Sequence, residues 1–66
     1  MKNLKEERIE TLPSIMEKII ILTEKYNLRV GQILDIISQR KNIDVFNIEN
    51  KILNEELDKF IKNSKY

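Results

Sequence analysis

The pattern of this chain predicts an all-α fold, a small bundle of three main helices. Glycine and proline occur once each in 66 residues, so little is present to interrupt long helices. The bulky apolar residues recur at helical rather than alternating spacing, which outweighs the strand preference of the many isoleucines. Short asparagine-bearing stretches separate the periodic segments, and asparagine is a favoured helix cap.

The first predicted helix spans about 13–26. Pro13 is tolerated in a first turn, and Ser14 with Glu17 fits the S-x-x-E capping box. Ile15, Ile19, Leu22 and Tyr26 then share one face, which Met16 and Ile20 widen. Asn27 is suited to cap the second helix, about 28–40, whose apolar face holds Val30, Ile33, Leu34 and Ile37 with Ile36 beside them. The run RKNID reads as a loop and VFNIEN as a short apolar connector. Asn47 or Asn50 caps a third helix, about 48–62, burying Ile48, Ile52 or Leu53, Leu57, Phe60 and Ile61. Glu55–Lys59 and Asp58–Lys62 are i, i+4 pairs in the favourable order. Residues 1–10 are expected to be a short helix or an arm. The whole reads as a single domain.

Several functions are disfavoured by composition. There is no cysteine and no histidine, which removes disulfides, thiolate metal sites, the commonest zinc ligand and the commonest general base. The carboxylates match no calcium-loop spacing, and no phosphate loop or nucleophile–base pair is present. No catalysis, no metal, no cofactor and no small-molecule substrate are therefore expected. Twelve basic against eleven acidic residues leave no basic tract for nucleic acid. A helix-turn-helix regulator using Arg29, Arg40 and Lys41 on phosphates is the alternative reading, weakened by acids along every helix. The longest apolar run, Ile19 to Leu22, is far short of a membrane span, and MKNLKEERIE lacks the apolar segment of a secretory signal. A cytoplasmic protein is the expectation.

Two features point to protein binding. A chain this short buries only about 60% of its unfolded surface, which favours self-association as a source of added stability. Ile19, Ile20, Ile21 and Leu22 point in nearly every direction round the first helix, and Ile33, Leu34, Ile36 and Ile37 crowd the second. The six isoleucines among them are the expected interface of a homodimer, of a complex with another protein, or of both. Gly31, in a chain without alanine, is expected to mark close packing, since helical glycine costs about 1 kcal/mol relative to alanine.

LRVGQIL (28–34) followed by DVFNIEN (44–50) resembles a group of small bacterial and phage-associated proteins with an L-R-x-G-Q-[LI]-[LI] segment and a D-[LV]-F-x-[LI]-E-[DN] segment before a helix. The likeness spans about 28–60; Asn47 departs from it where an aromatic residue is expected. The resemblance implies no activity, but it singles out Arg29, Gly31, Gln32, Asp44, Phe46 and Glu49. The residues themselves suggest a structural role. Phe46 and Ile48 would pin the connector, and Arg29 would pair with Asp44 or Glu49. Gln32 would satisfy a backbone group nearby. A polar recognition site built from Arg29, Gln32 and Glu49 is the functional alternative.

Overall fold

The computed structural model describes residues 3–63. Its elements are α1 (Leu4–Tyr26), α2 (Val30–Lys41), a 3-10 turn (Val45–Asn47) and α3 (Asn50–Lys62). The all-α bundle is as the sequence predicts. No helix among the described residues is long and apolar enough to cross a membrane.

The first helix is longer than predicted. It begins at Leu4, not Pro13, and takes residues 4–10 of the expected short helix or arm into the same rod; residues 1–2 of that segment lie outside the described residues. Asn3 supplies the cap, its Oδ1 accepting from the Glu6 amide at 2.9 Å. Glu6 and Glu7 lie in the first turn, where the helix dipole favours acids. The capping box at Ser14 is not formed. The Ser14 hydroxyl instead donates to Asn54 Oδ1 on α3 at 3.1 Å, while Lys18 Nζ reaches both, at 2.9 and 2.7 Å. Pro13 is interior, so it withholds one amide from the helical ladder without ending it.

Asn27 closes α1 rather than opening α2. It takes a left-handed conformation (φ 55°, ψ 40°) and its amide donates to the Thr23 carbonyl at 2.8 Å. Asparagine tolerates that region better than other side-chain-bearing residues, so the short turn needs no glycine. The cap of α2 is Arg29, whose amide donates to Gln32 Oε1 at 2.8 Å. The predicted RKNID loop is shorter, because Arg40 and Lys41 still belong to α2 and the turn occupies 42–44. Asn42 repeats the left-handed cap (φ 54°), and Ser38 donates to the Ile43 carbonyl. Glu49 precedes α3, which starts at Asn50 rather than 48.

The core joins Ile15 and Leu22 of α1, Leu28 of the first turn, Ile33 and Ile37 of α2, and Leu57 and Phe60 of α3. Ile19, Tyr26, Ile36, Ile48, Leu53 and Ile61 pack round it. α3 lies mainly along α1, and α2 makes a smaller contact with each. That asymmetry leaves one side of α1 bare. Of the two predicted i, i+4 pairs, Asp58–Lys62 forms at 3.0 Å. Lys59 turns instead to Glu56 at 3.3 Å, and that carboxylate also meets Lys41 of α2 at 3.8 Å.

Candidate functional site

Ile9, Leu12, Met16 and Ile20 stand at i, i+3, i+7 and i+11 along α1. At about 100° per residue they fall within about an 80° sector, a stripe about 16 Å long. Each is between 46% and 57% exposed. The core sector, marked by Ile15 and Leu22, lies beside them, with Ile19 at the boundary. Met16 and Ile20, predicted to widen the core face, therefore belong to a separate outward stripe. Where α2 begins, this stripe becomes one wall of an open groove of about 470 Å³ lined by Met16, Ile19, Ile20, Thr23, Glu24 and Val30. Val30 is also half exposed, so it forms the opposite bank instead of joining the core.

The predicted interface isoleucines divide. Ile33 and Ile37 are fully buried in the chain's own core and offer no interface. Ile36 packs against that core. Ile20 is exposed on the stripe, Ile19 lines the groove, and Ile21 is exposed on another side of α1. Not every apolar cluster is surplus: Ile33 and Ile37 of α2 pack into a core shared with α1, Leu28 and α3.

The residues singled out by the LRVGQIL and DVFNIEN segments are not gathered into one site. Glu49 pairs with Arg8, not with Arg29. The guanidinium donates through Nε to Oε1 at 2.9 Å and through Nη2 to Oε2 at 2.6 Å, a bidentate clasp. Asn50 Nδ2 donates to the Arg8 carbonyl at 3.1 Å beside it. The hydrogen bond from Arg8, and then its positive charge, hold the Glu49 carboxyl below its ordinary pKa and raise that of the guanidinium in turn. Asp44 accepts from the Phe46 amide at 3.1 Å and shapes the 3-10 turn. Phe46 does not pin the connector: it is 96% exposed, next to the exposed Ile43 and Val45. Gln32 does satisfy a backbone group, that of Arg29. Gly31 is not closely packed; a Cβ placed on it would meet nothing within 4 Å. Close approach inside the chain therefore does not account for it.

Sequence reasoning missed the roles of Arg8 and Ile9, in the segment read as a short helix or arm, and of Leu12, between that segment and the predicted first helix. Extending the helical count back from Ile20 would have found the stripe. Two of the cations considered for phosphate contact are engaged elsewhere. Arg40 lies over the Phe60 ring, 5.6 Å from its centroid, and Lys41 faces Glu56. Among the described residues no group of three or more acidic side chains is placed to hold a metal ion. No family model, curated protein or solved structure matches the chain, so the site is read from its geometry alone.

Proposed function

We propose that the chain is a non-enzymatic protein-interaction module, a small helical adaptor, inhibitor or regulator, whose working surface is the outward stripe of α1 and the groove beside Val30. One observation carries this reading. Four bulky apolar side chains in register along one helix stay half exposed although a complete core has formed on the neighbouring face. Single exposed isoleucines are ordinary. A contiguous row leading into an apolar groove is the form that helix-in-groove recognition uses.

Ile20→Lys is the direct test, because it charges the stripe without touching the core. A protein captured from the native host by the wild type and lost with Ile20→Lys supports the reading. A chain that stays monomeric in light scattering at every concentration, and captures nothing that depends on Ile20, defeats it.

Self-association is a second reading, favoured by Phe46. A fully projecting aromatic ring on a turn held by Asp44 is a suitable knob for an apolar pocket on another copy. A dimer that disappears with Phe46→Ala would support it, and a dimer indifferent to that change would not.

A further inference from the structure

The groove has two unlike banks. On the α1 side, the sector adjoining the apolar stripe carries Glu6, Glu10, Glu17 and Glu24, all exposed, with Glu24 lining the groove itself. No lysine or arginine of α1 among the described residues falls in that sector; Lys18 and Lys25 project on the far side, and Lys5 sits in the stripe's own sector, beyond Ile9. The other bank is the first turn of α2, with Val30 and, at its cap, Arg29. The apolar floor is thus bordered along its length by a single-sign acidic row.

We propose that the occupant of this groove is an amphipathic helix of another protein, with lysine or arginine beside its apolar face. This inference rests on the stripe being an interaction surface and adds the chemistry of its partner. Charge complementarity is one argument. A helix laid along Ile9, Leu12, Met16 and Ile20 places its flanking residues over the glutamates, and cations there gain attraction and a faster encounter. Geometry is the other. The half-exposed side chains present roughly a few hundred Å² of apolar surface, the size of a typical largest patch on a monomer. That is well below the ~800 Å² per partner of a standard interface between globular proteins. A second copy is also poorly matched in charge. Antiparallel pairing of two α1 helices sets the acidic rows side by side, because a two-fold axis across the helices keeps both rows on one side. Parallel pairing sets the α2 bank of each copy against the acidic row of the other, but that bank brings one cation, Arg29, to four glutamates.

The test uses the full chain and two synthetic helical peptides with the same leucine and isoleucine face, one with lysine and arginine on its polar face and one with glutamate. Binding is followed by fluorescence anisotropy at low and high salt. The basic peptide is expected to bind about tenfold more tightly at low salt, an advantage that shrinks as salt rises. Glu17→Lys with Glu24→Lys should reverse the order of the two peptides, and Phe46→Ala should leave both affinities unchanged. Ile20→Lys should abolish both, with Ile20→Ser as the substitute if circular dichroism shows that the lysine variant unfolds. Equal affinity for the two peptides, lost with Ile20→Lys, would overturn the basic partner while leaving the interaction surface intact. A dimer that Ile20→Lys dissolves would make a second copy the occupant and overturn the inference in the same way. No binding of either peptide by a chain that stays monomeric would overturn the inference and the interaction reading together.

Discussion

Replacing Pro13 by alanine should stabilise the protein. Pro13 lies nine residues past Leu4, in the interior of a helix that continues to Tyr26. It has no amide to give the Ile9 carbonyl, and its ring crowds the preceding turn. Proline in a helix interior costs about 3 kcal/mol relative to alanine. Two effects reduce what the substitution recovers. Proline restricts the unfolded chain, which is worth about 0.4–1 kcal/mol to the folded state. Pro13 is also exposed, so the rod can relax outward at that point. A net gain of about 1–2 kcal/mol remains, and for a domain of this size that raises Tm by roughly 4–16 °C. Thermal unfolding followed by circular dichroism at the helical band measures it directly. The alternative is the placement expected from sequence, with Pro13 in a first turn. There proline is well suited, and alanine would leave Tm unchanged or lower it. A flat or negative shift would refute the continuous helix and, with it, the single stripe from Ile9 to Ile20.

Gly31→Ala should add up to about 1 kcal/mol in urea unfolding, because the new methyl group meets nothing and the helix gains propensity; destabilisation would show a close contact at this position. Ile33→Val should cost about 0.5–1.5 kcal/mol and Leu57→Ala about 2–5 kcal/mol, both residues being fully buried, and an unchanged urea midpoint for either would contradict the core. A double-mutant cycle on Arg8→Ala and Glu49→Gln should show coupling in stability, whereas Arg29→Ala with Glu49→Gln should show none; the reverse result would restore the pairing expected from sequence. The depressed pKa of Glu49 means that its ionised form is favoured by folding. Its contribution is complete above the ordinary glutamate range, about pH 4.3, and is lost as pH falls through the lower folded value. Glu49→Gln should therefore flatten part of the acid limb of the stability curve, and an unaltered limb would show that the clasp adds nothing in solution.

The three helices and most of the core were legible because Ile15, Leu22, Ile33, Ile37, Leu57 and Phe60 repeat at helical spacing, and periodicity reports which face is buried. The ends of the helices were less so. Pro13 and Ser14 carry the local signature of a helix start, but Asn3 and the acidic first turn supply another start upstream, and the periodic pattern runs on through the proline. Asn27 can cap either end of a helix; the choice depended on whether its backbone turns left-handed, which a side-chain signature does not specify. The clasp was misassigned for a related reason. Glu49 needed a guanidinium, and Arg29 was the nearest in an element already counted as helix. Arg8, 41 positions away in sequence, became available only once α1 extended past it. Phe46 shows the opposite failure. Its apolar character suggested burial, but the Asp44-capped turn projects it outward.

The same extension of α1 changes what the apolar surplus means. With a helix beginning at Pro13, Met16 and Ile20 only widen the core face of a short rod, and dimerisation is the simplest way to cover the surplus isoleucines. With the helix beginning at Leu4, Met16 and Ile20 join Ile9 and Leu12 in a continuous row that the chain's own core does not require, since Ile15, Ile19, Leu22 and Tyr26 already pack the inner face. A lysine or glutamate at any of the four positions would satisfy helix propensity equally well and keep the surface polar. The glutamates at 10, 17 and 24 repeat every seven residues beside the row, so the polar positions follow its register as closely as the apolar ones do. Local stability demands neither pattern on an exposed face. A ligand that reads both, apolar along the stripe and cationic along its border, accounts for the two together.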